Sequence, residues 1–229
     1  SMRYLFDPTY FLIIIGMAFA GYAQWKVKST FSKYSEWETS KGTTGRQVAQ
    51  AILQQTLINN VQVEHVSGDL TDHYDSRHKV LRLSDATDME TSVAAVAVAA
   101  HECGHAVQDA ENYFPLRLRN ALVPVTQIGS AAAMPVIIAG FIFQMMGLVQ
   151  FGIILFSLVL VFQVVTLPVE FDASARALKI LEQNQLLAPE EMPAARKVLN
   201  AAALTYVAAA SATALQLLRL IILSSRNND

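Results

Sequence analysis

Hydrophobic positions fall into three patterns along the chain: long unbroken runs, runs at helical spacing, and short alternations. The unbroken runs predict membrane helices. Tyr10 to Ala23 is apolar, is extended by Tyr4, Leu5 and Phe6 ahead of Asp7-Pro8, and ends at Trp25. It reads as an anchor over residues 4–25, near the minimum of about 17–20 residues for a span. A cleaved signal peptide is the rival reading, but Arg3 alone precedes the run and Gly21-Tyr22-Ala23 is a poor cleavage site. Leu122–Met145 and Leu148–Leu167 carry no charged residue, and each can cross about 30 Å of hydrocarbon. The joint at Gly147 permits only a tight hairpin, and Pro124 and Pro135 are expected to kink or unwind its first arm. Leu204–Leu223 has two readings: a fourth span whose Arg219 snorkels to the interface, or a buried helix.

Helical spacing of Val48, Ile52, Leu53, Leu57 and Ile58 predicts an amphipathic helix over Gly45–Asn59. Val93–Ala100 is small and apolar all round, so it must be buried on every side. Thr91 or Ser92 would cap that helix, which continues to about Asn112. Val61–Val66 and Lys79–Leu83 alternate and read as two strands of a hairpin, with Ser67-Gly68-Asp69 opening the loop between them. Residues 34–44 have no periodic pattern and read as a linker, and residues 184–195 form a turn with two prolines.

Charge orients these elements. Lys26, Lys28 and Lys33 follow the anchor; Arg117 and Arg119 precede the hairpin, Arg176 and Lys179 follow it, and its tip has no basic residue. The positive-inside rule then puts the flanks in the cytoplasm and the tip outside. Four regions result: the anchor at 4–25, a cytoplasmic helix, β-hairpin and buried helix at 26–120, a transmembrane hairpin at 121–168, and two helices at 169–229. Composition agrees, with 53% hydrophobic and 16% charged residues against about a quarter charged in soluble domains. A net charge of −2 leaves no basic footprint for nucleic acid, and Cys103, the single cysteine, permits no intrachain disulfide.

The chemistry sits at the end of the buried helix, in His101-Glu102-Cys103-Gly104-His105. Histidines four apart on a helix lie about 40° apart on one face, one turn above the other, and can share one Zn²⁺. Glu102 is then placed to take a proton from water that the metal activates. Cys103 points away from that face and reads as a buried structural thiol. A catalytic zinc needs a third ligand. His65, His73 and His78 lie upstream, and Asp109, Glu111, Glu170 and Asp172 downstream. Two crossings return the chain to the side it left, just before Glu170 in Leu167-Pro168-Val169-Glu170. Pro168 would start a helix with Glu170 in its first turn. Glu170 is therefore favoured, with Asp172 the alternative.

Val98-Ala99-Ala100-His101-Glu102-Cys103-Gly104-His105-Ala106-Val107-Gln108, a membrane hairpin, and then Leu167-Pro168-Val169-Glu170-Phe171-Asp172-Ala173-Ser174 together resemble the neutral membrane zinc metallopeptidases of the YugP type. The resemblance extends more distantly to the HtpX and CAAX-prenyl endopeptidases. It implies a mainly α membrane protein: transmembrane helices plus a small α+β, zincin-like cytoplasmic catalytic unit with a β-hairpin. It also implies a gluzincin site with one Zn²⁺ per chain, ligated by His101, His105 and Glu170, and Glu102 as the catalytic carboxylate. The active site would face the cytoplasm of a bacterial multi-pass membrane protein and cleave membrane-associated or misfolded proteins. The distant group carries an acid four residues after the ligand glutamate; here that position is Ser174, with Asp172 nearby, so either Ser174 substitutes or Asp172 orients something else. Tyr206 and Arg176 are the candidates for an oxyanion donor, and the edge of the Lys79–Leu83 strand for holding an extended substrate. Partners would be protein or peptide substrates and the bilayer, with a homo-oligomer left open. The rivals are a zinc-keeping membrane scaffold without activity, disfavoured by Glu102, and a transporter, disfavoured by spans without charge.

Overall fold

A computed structural model describes residues 7–227, so the proposed start of the anchor at Tyr4–Phe6, and Arg3, lie outside the described residues. The elements follow in order: α1 (Tyr10–Ser35), α2 (Gly45–Gln55), β1 (Gln62–His65), β2 (His73–Asp75), β3 (Val80–Leu83), α3 (Val93–Ala110), α4 (Phe114–Ile142), α5 (Met146–Gln183), a 3₁₀ turn (Pro189–Glu191) and α6 (Met192–Asn227). The chain is a mainly α membrane protein with a small three-stranded sheet. Helices α1, α4, α5 and α6 are long and apolar enough to cross a membrane, which favours the spanning reading of Leu204–Leu223. By internal contacts the chain divides into two units, one of Trp25–Arg117 with Pro168–Leu204 and one of Ser1–Gln24, Leu118–Leu167 and Thr205–Asp229.

In the first unit, α3 is enclosed on all sides. Ala94, Ala95, Val96, Ala97, Ala99 and Ala100 have no exposed surface, as their small apolar character requires. One side packs on Val48, Ala49, Ile52 and Leu53 of α2, and the same core takes in Leu81 and Leu83 of β3, Leu181 of α5 and Val198 and Leu199 of α6. Ser92 caps α3 by accepting from the Ala95 N–H (3.1 Å). Thr44 caps α2 in a reciprocal box with Gln47. The 34–44 stretch is more than a linker. Glu38 bridges Ser92, Trp37 O accepts from the Val93 N–H (2.8 Å), and the chain is thereby sewn to the start of α3.

Both expected strands form, but they pair differently. β1 and β3 run parallel, and the hairpin arm is β2, antiparallel to β3, giving the order β1-β3-β2. Alternation reports which face is buried and says nothing of direction, and His73-Tyr74-Asp75 is too short and polar to signal itself. β3 is therefore central and paired on both sides, so it has no free edge to offer a substrate. The hairpin is held to α3 by Asp109, which accepts from Tyr74 Oη (2.5 Å) and Lys79 Nζ (2.5 Å) and forms an ion pair with Arg117 (2.7 Å). Burial pushes the Asp109 carboxyl up, yet Lys79 and Tyr74 outweigh it and hold the group below the usual carboxylate range.

In the second unit, α4 and α5 form a close helical hairpin. A Cβ on Gly140 would lie 2.7 Å from Val149 N, and one on Gly152 2.5 Å from the Ile137 side chain. Small residues let the helices approach where lipid offers no hydrophobic drive. The turn is at residues 143–145 rather than at Gly147, which lies inside α5; Gln144 supplies the left-handed conformation (φ 55°). Neither Pro124 nor Pro135 interrupts α4. Pro168 likewise does not start a helix: α5 runs unbroken through it. Proline costs one backbone bond in such a helix, and the flanking residues keep their own pairing. Glu170 thus sits in the interior of a 38-residue helix.

A second polar cluster ties β1 to the loop that leads into α3. Buried Asp88 takes Arg46 through two bonds (2.7 and 3.1 Å), and His65 lies between Asp88 (2.8 Å) and Asp85 (2.6 Å). Asp88, then Asp85, raise the His65 pKa. A raised histidine pKa contributes stability that is present below its unfolded value, near 6.5, and lost as pH climbs through the folded value. Thermal unfolding followed across this range should show stability falling with rising pH, and His65→Gln should flatten that fall; an unchanged profile in His65→Gln would assign the pH dependence to other groups.

Candidate metal centre

His101 and His105 occupy one face of α3 in successive turns, their rings edge to face with centroids 4.9 Å apart. Glu170 of α5 meets both: its Oε2 is 2.9 Å from His101 Nε2 and 3.3 Å from His105 Nε2. One ligand atom from each of the three residues falls within 4.8 Å of the others. His105 and Glu170 are buried, and His101 is partly open. The close approach of α3 to α5 depends on Gly104. A Cβ there would stand 2.4 Å from the Ala173 carbonyl oxygen, a backbone atom that cannot swing aside.

The remaining imidazole nitrogens are engaged. His101 Nδ1 pairs with Ser174 Oγ at 2.9 Å, one turn beyond Glu170 on the same face of α5. His105 Nδ1 pairs with Gln108 Oε1 at 2.9 Å. Gln108 is fully buried, and its amide nitrogen donates to Val169 O and Asp172 Oδ2, both at 2.9 Å. Two acceptors facing that nitrogen fix which way the amide points. Its oxygen must face His105, so Nδ1 carries the proton and, in the neutral imidazole, Nε2 presents a lone pair. That lone pair faces a carboxylate oxygen, an arrangement of acceptors that a cation resolves. Two imidazoles and a carboxylate, held from behind by hydrogen bonds, are a donor set suited to Zn²⁺.

Asp172 is not in the group. Its carboxylate is engaged by Gln108 and by Arg176 Nε (2.6 Å), and Arg176 also reaches Glu111 (2.5 Å). Both halves of the sequence alternative are thus seen as contacts: Ser174 touches His101, and Asp172 acts on His105 through Gln108. Two of the Arg176 guanidinium nitrogens are committed to carboxylates, and Tyr206 belongs to the other unit. Asp109 serves the hairpin, while His65, His73 and His78 lie in or beside the sheet and join other partners. Cys103 is on the far side of α3, 3.6 Å from Ala49 O, and burial pushes its thiol up, away from the reactive thiolate. Gln108 escaped the sequence reading. Its signal was a polar side chain three residues after His105 on a helix that is otherwise almost wholly buried.

A family described as "Putative neutral zinc metallopeptidase" matches residues 9–225. The chain belongs to this family. It is 43% identical over 219 residues to the "Putative membrane protease YugP" of Bacillus subtilis (strain 168), covering 96% of this chain and 97% of that protein. No solved structure matches it. Membership in the family implies zinc, and His101, His105 and Glu170 are the group of described residues whose geometry suits it.

Replacing Gln108 by Leu should weaken zinc binding by roughly 10–100-fold, the usual effect of removing a group that orients a ligand histidine. Gly104→Ala should destabilise the chain by about 1–3 kcal/mol through overpacking and lower its zinc content. Competition with a chromophoric chelator and thermal unfolding read these two effects; native zinc affinity in Gln108→Leu would show that its amide does not orient His105.

Proposed function

We propose that this protein is a membrane zinc endopeptidase that hydrolyses peptide bonds at the cytoplasmic surface, acting on membrane-associated or misfolded proteins. The convergence of His101, His105 and Glu170 within one largely buried group carries the reading. In it these three residues hold a single zinc ion, whose Lewis acidity toward water and a peptide carbonyl is the chemistry the metal supplies. Glu102, next to His101 and largely buried, accepts the proton of the attacking water and delivers it to the departing amine as the C–N bond breaks. Gln108 orients the His105 ring and Ser174 the His101 ring, each through its Nδ1. A scaffold that merely stored zinc would gain nothing from a carboxylate at position 102.

Purified protein should retain zinc in Glu102→Gln while proteolysis falls by at least about 100-fold, the scale of a lost general base. Glu170→Ala should lose both metal and activity. Proteolysis surviving in Glu102→Gln would remove the glutamate from its role, and zinc surviving in Glu170→Ala would move the third ligand elsewhere. Comparing the membrane proteome with active enzyme and with Glu102→Gln would identify the substrates, which should accumulate in the variant.

Orientation follows from the lysines and arginines that flank the spans. Cys103 has no exposed surface, which makes introduced cysteines clean reporters. In intact cells an impermeant maleimide should label Gln144→Cys at the hairpin tip and leave Asp69→Cys unlabelled until the membrane is opened. The reverse pattern would place the metal group outside.

A further inference from the structure

Apart from the metal group, the feature with the clearest chemistry is a cavity of about 540 Å³ between α1 and α6, within the unit that holds the metal group. Lys26, Ser29 and Lys33 line it from α1, and Lys197, Asn200 and Leu204 from α6. The spacing is helical on both sides, so each set is one continuous face. Three ammonium groups thus border one cavity whose lining contains no carboxylate. Among the described residues none of the three lysines has an acidic partner within salt-bridge distance; Lys33 lies over the Tyr34 ring, 5.3 Å from its centre. In a chain of net charge −2, such a concentration of positive charge is local rather than general.

Position along the chain says what the charge is for. Lys26 directly follows the apolar run that ends at Trp25, and Leu204 opens the apolar part of α6. Both helices are among those able to cross a membrane, so the cavity borders the points where each changes from apolar to polar sequence. Ala201, nearly fully buried, keeps the wall small between Lys197 and Leu204. Phospholipid phosphates lie at this depth, and basic pockets between membrane helices hold anionic headgroups.

We propose that this cavity binds the phosphate headgroup of an anionic phospholipid, with Lys26, Lys33 and Lys197 as its counter-charges. Asn200 adds a neutral donor at the rim, while the Ser29 hydroxyl is directed to the Lys26 carbonyl (3.3 Å) and leaves the anion to the lysines. Bound there, one lipid clamps α1 to α6 within the unit that holds the metal group. Lysines that flank a span as topological anchors need no such arrangement. Lys28 is one: it belongs to the same basic run, and it does not line the cavity.

Full-length protein in detergent, titrated with short-chain phosphatidylglycerol and followed by native mass spectrometry and thermal unfolding, tests this. Phosphatidylglycerol should bind in a one-to-one complex and raise the unfolding temperature, whereas phosphatidylcholine and inorganic phosphate at equal concentration should not. Lys33→Gln and Lys197→Gln should each weaken the complex about fivefold, and Lys28→Gln, with the same loss of charge, should leave it within twofold. Equal weakening by Lys28→Gln would reduce the site to a diffuse surface field and overturn the proposal. So would full stabilisation by inorganic phosphate, or equal binding of phosphatidylcholine. Zinc content measured in the same variants should stay at the wild-type level, which separates a lost lipid site from a damaged metal group.

Discussion

The contact between α3 and α5 at Gly104 is the constraint on which the metal group depends. A histidine pair on one helix can offer two ligand atoms and no more, because the third must come from another element at matching height. α5 brings Glu170 to the two histidines by lying against α3 so closely that a single added carbon at position 104 would press into the Ala173 carbonyl. The same contact brings Ser174 to His101 and lets Gln108 reach both Val169 and Asp172. One backbone approach therefore sets the spacing of the three candidate ligands and the hydrogen bonds that hold them.

That approach explains the composition of α3. A helix surrounded by α2, the sheet, α5 and α6 cannot carry long side chains on any face, and Val93–Ala100 has none. Polar groups on such a helix need partners inside the protein: His105 pairs with Gln108 of the same helix, Gln108 with Asp172 of α5, and Asp172 with Arg176. At its far end Asp109 gathers Tyr74, Lys79 and Arg117 and fixes the hairpin. The helix that bears the proposed catalytic carboxylate is thus tethered at both ends, at Ser92 through the Glu38 bridge and at Asp109.

Much of this was legible in the sequence. Spans without charge, a small-residue helix and His101-Glu102-Cys103-Gly104-His105 are strong local signals, and each corresponds to an element of the fold. Glu170 was favoured by topology, since a chain that crosses twice must come back near its starting point, and implied by the family resemblance. What escaped was whatever depends on the relation between segments. Alternation could not reveal that β1 and β3 are parallel, because direction leaves no trace in period-two burial. Pro168 suggested a helix start by its ordinary preference, yet in a span the unbroken apolar residues before it carry the helix through. Gln108 was invisible because its role is defined by Val169 and Asp172, some sixty residues away in the chain.

The central claim is that one zinc ion is held by His101, His105 and Glu170. X-ray absorption at the zinc edge of the full-length protein tests it directly. The account predicts two imidazole nitrogens at about 2.0–2.1 Å with oxygen ligands beside them and no sulfur. A sulfur shell near 2.3 Å, or fewer than two imidazoles, would contradict it, since Cys103 is the only thiol and lies on the opposite side of α3.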